Sequence, residues 1–422
     1  MCSRAASVGL FVALLAAGPA GAFEPAEIEA AAAVARVVEP DVRWLADDAF
    51  EGRGSGSPGA AVAAELLIDQ LTAIGPGLDT LASGREAYHQ RFDFSRSNLL
   101  AVVPGGARAE EYVIVGAHYD HFAPGGCAIL VDPICNGATD NAAGVAAVLA
   151  IGRALRTLPE PPARSVVLAL WDGEEIGLLG SKHFVANPLV PLADIAAYVN
   201  FDIQGSNLAP SLRQLSLAIG AESGGELLQS LTQDAIETVG LDTRPLSITF
   251  GQGRSDYLPI WSAMVPVVFF TDATNACYHT TQDDLDVVDF RKLAKQSEIA
   301  FRLVLALAED VARPPLVGQV AVDTFEDLVV LSDLLTLLLA DYDSVLPPYQ
   351  PNLVQLEELA RSRVAEGPEA FVQTDALSIA LPVIDLATNG FPCDPLLLPE
   401  PAGGAALALA ALGLAAVRAR SR

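Results

Sequence analysis

The chain has 422 residues, of which 51% are hydrophobic and 18% are charged. This much apolar surface can form a core and excludes a wholly disordered chain. Acidic residues number 52 against 25 basic ones, and the formal net charge of -27 would repel phosphate backbones and anionic lipid surfaces. Nucleic acid is therefore not an expected partner, and the length indicates one large domain with accessory segments.

Residues 1–22 have the pattern of an export signal. Arg4 precedes an apolar stretch at 9–17, and small residues occupy 20–22. This order of charged, apolar and small residues is typical of secretory signals, and the apolar stretch is too short for a good transmembrane span. We therefore expect the mature chain to begin near Phe23, with a frayed N-terminal helix as the alternative.

The next part of the chain alternates between helical and strand patterns. Segment 58–75 has proline near its start, apolar residues at helical spacing and glycine at its end, which predicts an amphipathic helix. Short apolar runs typical of buried strands follow at 99–103, 112–117, 166–171, 195–201, 215–219 and 265–270. Helical patterns lie between or after them at 141–157, 177–186, 223–239, 256–263 and 289–310. This alternation predicts a three-layer α/β/α sandwich with a mostly parallel central sheet.

The alternation stops after about Pro314. Residues 323–342 and 351–365 have helical patterns, and acidic residues interrupt the first, so a buried helix is expected there rather than a membrane span. We therefore divide the chain into the export signal, a core domain at 23–312, a helical C-terminal extension at 313–395 and a tail at 396–422. The sequence assigns no chemistry to the extension.

The tail has three successive parts. Residues 399–401 read Pro-Glu-Pro, residues 402–417 form an Ala/Leu/Gly run, and the last five residues contain three arginines. This pattern resembles the PEP-CTERM sorting tail of Gram-negative bacteria, which implies processing by an exosortase after transient anchoring. The location implied is periplasmic, cell-surface or extracellular. The run is shorter than the roughly 20 residues of a usual span, and a permanent anchor with a basic cytoplasmic end is the alternative.

Six residues suited to metal binding or proton transfer directly follow predicted strands or begin predicted helices: His118, Asp140, Glu174, Glu175, Asp202 and His279. Each alone has an ordinary explanation as a helix cap, a first-turn acid or a turn residue. Together, at strand ends in a chain with only five histidines, they favour a metal site. Two imidazoles and three carboxylates suit two divalent ions if one carboxylate bridges, which predicts a dinuclear zinc centre.

Seven segments also match one family in chain order, namely FEGRGSGSPGA, GAHYDH, TDNAAG, WDGEEIGLLGS, NFDIQGS, GRSDY and CYHTTQDDLD. They resemble the zinc exopeptidases with two co-catalytic ions that include bacterial leucyl aminopeptidase, aminopeptidases S and Y and glutamate carboxypeptidase. The resemblance covers about residues 48–290. It implies that His118 and Asp202 hold one zinc, that Glu175 and His279 hold the other, and that Asp140 bridges the two ions.

The resemblance implies further roles around the metal ligands. Glu174 matches the general base, because a glutamate beside a ligand can take a proton from the attacking water. Asp120 matches the carboxylate that fixes the tautomer of His118, with a solvated loop acid as the alternative. Tyr278 is a candidate donor to the oxyanion, with ordinary packing as the alternative.

The sequence defines the roles of other residues near the motifs less closely. Arg254, Ser255 and Asp256 are candidates for substrate binding or for the pocket floor. His121 lies near the site without a ligand role in the pattern, and His89 and His183 are interpreted as surface residues.

The cysteines are interpreted from the predicted export. Four of them, Cys127, Cys135, Cys277 and Cys393, would remain in an oxidising compartment and allow three pairings. Cys127 and Cys135 are close enough in sequence to close one loop, and this pair is favoured, with Cys277–Cys393 as the remainder. Residues 129–131 would then lie at the rim of the cleft.

The function implied is that of an exported zinc aminopeptidase with two zinc ions per chain and peptide substrates. A carboxypeptidase of the same fold is one alternative, and Arg254 is the one basic candidate within a motif for holding a terminal carboxylate. A single-zinc glutaminyl cyclase and a non-catalytic surface protein are the others. The sequence does not indicate the preferred N-terminal residue or the oligomeric state.

Overall fold

The computed structural model describes residues 24–128, 133–309, 312–318 and 320–393. The predicted export signal, the sorting tail and residues 129–131 of the cysteine loop lie outside these ranges. Among the described residues, no helix combines the length and the apolar composition needed to cross a bilayer.

Within these described ranges, eight strands form one central sheet: β1 His89–Arg91, β2 Ser97–Val103, β3 Arg108–His118, β4 Arg164–Trp171, β5 Ile195–Phe201, β6 Leu215–Ile219, β7 Asp242–Leu246 and β8 Val267–Thr271. Their order is β1-β2-β4-β3-β5-β8-β6-β7. The central strands β4, β3, β5 and β8 are parallel, whereas β2 and β6 pair antiparallel with β4 and β8. The mostly parallel sheet is thus confirmed, and the four central strands end at one edge.

In the part of the chain that the structure describes, ten α-helices pack around this sheet: α1 Pro25–Leu45, α2 Pro58–Ile74, α3 Ala143–Leu155, α4 Leu179–Ala186, α5 Gly225–Val239, α6 Tyr257–Ser262, α7 Phe290–Glu309, α8 Phe325–Leu338, α9 Gln350–Glu366 and α10 Asp375–Asn389. Alternate strand residues point to opposite faces, as Val113 and Ile114 of β3 do, and each face has its own apolar cluster. Helices α1, α2, α3, α5 and α7 cover one face, and α4, α6, α8, α9 and α10 cover the other. The three-layer sandwich is therefore confirmed.

The C-terminal helices share the core of the second face. Leu331 and Leu335 of α8 and Ile379 of α10 belong to the same apolar cluster as strands β6 and β8. Asp327 fixes the start of α8 twice over, since it closes a capping box with Thr324 and accepts hydrogen bonds from the amide and hydroxyl of Ser247. The extension thus packs directly on the sheet rather than forming a core of its own.

Four elements were not predicted from the sequence. Helix α1 begins with Pro25 and a capping box, but Pro40 inside it argues against a continuous helix. Pro382, inside α10, likewise argues against a continuous helix there. Strand β7 contains Pro245, which is tolerated because β7 is an edge strand, and β1 has only three residues.

Candidate metal centre

The ends of the four central strands bring the predicted residues together. His118 is the last residue of β3, and Glu174 and Glu175 follow β4 after a short turn. Asp202 follows β5 directly, and His279 lies in the loop after β8. Because these strands are adjacent and parallel, their carboxyl ends form one cleft, which is where ligands bind in sheets of this kind.

Asp140 enters the cleft from an irregular turn at Ala138–Ala142, immediately before α3. Asp283, which sequence reasoning did not single out, holds this turn from the opposite side of the cleft. Its Oδ1 accepts hydrogen bonds from the amide and hydroxyl of Thr139 at 2.9 and 2.7 Å, and its Oδ2 accepts one from the amide of Asp140 at 3.0 Å. Asn141, after a cis peptide bond, donates to the carbonyl of Phe201. The backbone of Asp140 is therefore fixed from two directions.

The two carboxylate oxygens of Asp140 face two different histidines. Oδ1 lies 3.3 Å from Nε2 of His118, and Oδ2 lies 3.2 Å from Nε2 of His279. His118 has a further carboxylate 3.3 Å away, from Asp202, and His279 has one 3.1 Å away, from Glu175. The site therefore consists of two imidazole and carboxylate sets that share Asp140.

His121 lies within the cluster, although the sequence pattern gave it no ligand role. Its Nδ1 lies 2.7 Å from Oε1 of Glu175 and 3.9 Å from Oδ2 of Asp140, and the ring is buried. It packs edge-on against Phe122 and His279. His121 therefore orients Glu175 or adds a donor to the second set. His89 is also buried, against Ser97, rather than lying on the surface as expected.

The donor atoms fit metal ions. Those of His118, Asp140 and Asp202 lie within 4.8 Å of one another, as do those of His121, Asp140 and Glu175. Nε2 of His121 is buried without a hydrogen-bond partner, whereas Nε2 of His279 faces the carboxylates of Asp140 and Glu175. Buried polar atoms are normally satisfied, so Nε2 of His121 needs a further partner. Nitrogen and carboxylate donors in such numbers are the ligands that zinc prefers.

The histidines and carboxylates of the cluster shift one another's pKa values. Burial lowers the pKa of His279, but Asp140 and Glu175 outweigh it and raise that pKa to about 10. Burial opposes ionisation of Asp140, yet its hydrogen bonds to His118 and His279 bring its pKa well below the ordinary value. The carboxylates of the cluster thus favour a nearby positive charge, which bound cations would supply.

Glu174 lies in the same cleft without being part of either set. One of its carboxylate oxygens lies within 4.8 Å of a ring nitrogen of His118. Burial and the negative charges of Asp202, Asp256 and Glu175 raise its pKa well above the ordinary value, although His118 opposes the shift. A carboxylate with a raised pKa is suited to accept a proton from water near neutral pH.

Asp120 occupies a different position from the one expected. Nδ1 of His118 lies 3.0 Å from the backbone carbonyl of Asp120 but 3.8 Å from its carboxylate. The carboxylate instead accepts a hydrogen bond from the backbone amide of Glu174. The carbonyl therefore faces the imidazole, and the side chain positions the segment that carries Glu174.

Tyr278 stacks on His279, with ring centroids 3.6 Å apart. It also lines an apolar cavity together with Asp202. Burial and the negative charges of Asp140 and Asp202 raise the pKa of Tyr278 above the ordinary value, so its hydroxyl remains a proton donor at neutral pH.

Two of the three candidate substrate-binding residues lie behind the site. Ser255 is buried and accepts a hydrogen bond from Asn200, and Asp256 is buried and accepts one from Ser181. These side chains hydrogen-bond to β5 and α4, and Oδ2 of Asp256 is buried without a hydrogen-bond partner. Arg254 is exposed and lines the cavity, so it is the one of the three that a substrate can reach.

Both cysteine pairs form disulfides, Cys127–Cys135 and Cys277–Cys393. The first closes the loop that was expected to lie near the cleft. Ala128, beside it, donates to the carbonyl of His279 at 2.9 Å and accepts from the amide of Thr281 at 3.0 Å. The loop is therefore attached to the segment that carries His279.

Comparison with known proteins agrees with this geometry. The sequence profile of peptidase family M28 matches residues 98–304, which include every proposed metal ligand and Glu174. Leupeptin-inactivating enzyme 1 of Streptomyces exfoliatus is 26% identical over 239 residues, covering 52% of this chain and 50% of that protein. Aminopeptidase YwaD of Bacillus subtilis is 25% identical over 236 residues, covering 53% and 48%. The chain thus spans about half the length of these relatives.

Solved structures show the same fold at low identity. The Legionella pneumophila LapA aminopeptidase gives a TM-score of 0.54 at 18% identity, covering 71% of this chain and 79% of that one. The Porphyromonas gingivalis glutaminyl cyclase gives 0.51 at 16% identity, covering 64% and 97%. The sequence match therefore relates residues 98–304 of this chain to peptidase family M28.

Proposed function

We propose that this protein is an exported aminopeptidase that removes N-terminal residues from peptides with two zinc ions. The observation that carries the proposal is the position of Asp140, whose two oxygens face His118 and His279 separately. Each histidine is paired with its own second carboxylate. A shared carboxylate between two such sets is the arrangement that two neighbouring ions require.

His118, Asp140 and Asp202 would hold one ion, and Asp140, Glu175 and His279 the other. When bound, the ions polarise the scissile carbonyl and make the attacking water more acidic. Glu174 takes the proton of that water and returns it to the leaving amine. Tyr278 donates its hydroxyl to the developing oxyanion.

The charge of the cleft favours a substrate with a free amine. Glu174 is a carboxylate in the cleft that neither metal set uses, and a terminal amine is a group that it can accept. A terminal carboxylate would meet this negative charge and have Arg254 alone as a cation among the cavity residues. We therefore prefer an aminopeptidase to a carboxypeptidase.

Export is a further part of the proposal. Two disulfides agree with folding in an oxidising compartment. The export signal and the sorting tail remain predictions from the sequence, as does processing by an exosortase.

The proposal is tested by assaying the purified protein on matched peptides with a free or acetylated N-terminus, with an amidated C-terminus, or with N-terminal glutamine. Release of the first residue from free-amine peptides alone is expected. Hydrolysis that requires a free C-terminus would indicate a carboxypeptidase, and cyclisation of glutamine without hydrolysis would indicate a glutaminyl cyclase.

The role of Glu174 is tested by Glu174→Gln. This change keeps the shape of the side chain but removes its ability to accept a proton, so kcat should fall by about 100- to 10,000-fold while zinc content stays the same. Glu160→Gln, at an exposed position, is the matched control. Near-normal turnover in the Glu174 variant would remove this residue from the mechanism.

A further inference from the structure

An apolar cavity of about 120 Å³ adjoins the metal centre. Asp202 and Tyr278 are among the residues that line it, so the cavity borders the cleft. Its inner wall on the sheet side is formed by strands β6 and β8, through residues such as Leu217, Ile219 and Phe269. A group held in the cleft can therefore extend an apolar side chain into this space.

The far wall of the cavity comes from the C-terminal extension. Helices α8 and α10 contribute side chains to it, namely Leu331, Leu334, Leu338, Ala380, Val383, Ile384 and Ala387. None of these is charged. The sequence assigned no role to this part of the chain, and its helices follow the family domain that ends at residue 304.

The extension is fastened to the catalytic side of the cleft. Cys393, shortly after α10, is bonded to Cys277, which directly precedes Tyr278 and His279. Thr388 of α10 lies 2.6 Å from Thr274 through their hydroxyl oxygens. The far wall is thus joined to the same loop that carries a metal ligand, and its distance from the metal centre is set by covalent and polar contacts.

The size and lining of the cavity define what it can hold. An apolar cavity of about 150 Å³ in an engineered protein accommodates benzene, so about 120 Å³ suits one side chain of the size of leucine, methionine or phenylalanine. A void in a packed core destabilises the protein in proportion to its volume. A substrate side chain that enters the cavity during turnover explains why the folded protein keeps this space, which core packing alone would fill.

We propose that α8 and α10 form the wall that selects substrates by the size of an apolar N-terminal side chain. This inference rests on the proposed function, because it assumes that the substrate's first residue is held at the metal centre. Small side chains would leave the cavity partly empty, and charged ones would lose their hydration without gaining a partner. The expected order of kcat/KM is leucyl and phenylalanyl above alanyl, with aspartyl and lysyl lowest.

The test changes the far wall and measures kcat/KM for alanyl, leucyl and phenylalanyl amides. Ala380→Leu and Ala387→Leu each add atoms to the cavity, so the ratio of leucyl or phenylalanyl to alanyl kcat/KM should fall about tenfold or more. Ile384→Ala removes atoms and should raise the phenylalanyl to leucyl ratio. If the added atoms prevent the two leucine variants from folding, Ile384→Ala still tests the proposal.

Ala365→Leu is the matched control, since Ala365 is exposed on α9 and does not line the cavity. Zinc content and the thermal midpoint of every variant establish that the fold and the metal centre persist. Wild-type substrate ratios in all the cavity variants would overturn this inference while leaving the proposed function intact. Absence of hydrolysis of any aminoacyl amide by the wild-type protein would instead overturn the proposed function.

Discussion

At the residue scale, the geometry of the site depends on side chains that touch no substrate. Asp283 uses both oxygens to accept hydrogen bonds from Thr139 and Asp140, and so fixes the direction in which Asp140 points. Partners of this kind commonly affect metal affinity by about 10- to 100-fold. The position of Asp140 between His118 and His279 therefore depends on a contact between two loops, through residues that are 143 apart in the sequence.

Asp283→Asn tests this dependence. The amide group would replace one acceptor oxygen with an NH2 group that faces a backbone N–H, so zinc affinity should fall by about 10- to 100-fold. Asp286→Asn, three residues along at an exposed position, removes the same charge and should leave affinity unchanged. Competition with a chelator of known affinity measures both, and equal affinities in the two variants would show that Asp283 does not position Asp140.

The residue types of the ligands were predictable because each follows an apolar strand or begins a helix. His118, Glu175, Asp202 and His279 needed only the order of strands and the resemblance of their motifs. Asp283 and His121 did not follow from any pattern, because their roles arise from contacts across the cleft. The burial of Ser255 and Asp256 also became clear only from the structure, in which they hydrogen-bond to Asn200 of β5 and Ser181 of α4.

At the element scale, the cysteine loop connects two sides of the cleft. Ala128 pairs with the segment at 279–281 through two backbone hydrogen bonds, and the Cys127–Cys135 disulfide lies beside it. The sequence predicted the disulfide from the spacing of its cysteines. The pairing of the loop with the segment that carries His279 required the three-dimensional arrangement.

The double variant Cys127→Ser, Cys135→Ser tests the contribution of this loop. Closing so small a loop contributes only about 2 to 3 kcal/mol, so the variant should remain folded and retain zinc. Its Michaelis constants should change across N-terminal residue types, because the loop borders the cleft. Steady-state kinetics on the aminoacyl panel measures this, and an unchanged substrate profile would contradict the role of the loop.

A second element-scale feature is the buried acid between β6 and α5. Glu222 accepts a hydrogen bond from the amide of Ile248 at 2.7 Å, and burial raises its pKa from 4.5 to about 6. The folded state therefore binds this proton more tightly than the unfolded state does. The penalty for ionised Glu222 is largest at neutral pH and disappears as the pH falls through 6 towards 4.5.

Glu222→Gln should therefore stabilise the protein at pH 7 and not in acid. Glutamine keeps an acceptor for Ile248 without the buried charge, so the free energy of unfolding should rise by about 1 to 2 kcal/mol at pH 7. Glu226→Gln, on the exposed first turn of α5, is the control. Denaturant unfolding at pH 7 and pH 5 measures the difference, and a gain that does not shrink in acid would refute the assignment.

At the scale of the whole molecule, the C-terminal helices complete the fold. Helices α4 and α6 have only 8 and 6 residues, so α8, α9 and α10 supply most of the second outer layer. The three-layer architecture was predictable from the alternation of strands and helices. The cavity was not, because it arises where β6 and β8 meet α8 and α10, which lie well beyond them in the chain.

The central claim is that two zinc ions share Asp140, and a zinc titration of the metal-free protein tests it most directly. Bound zinc per chain and the rate of leucyl-amide hydrolysis are measured on the same samples. Two zinc ions should bind per chain, and full activity should require both, because His118 and His279 serve different ions. Full activity with a single bound zinc, or binding that ends at one equivalent, would contradict the claim.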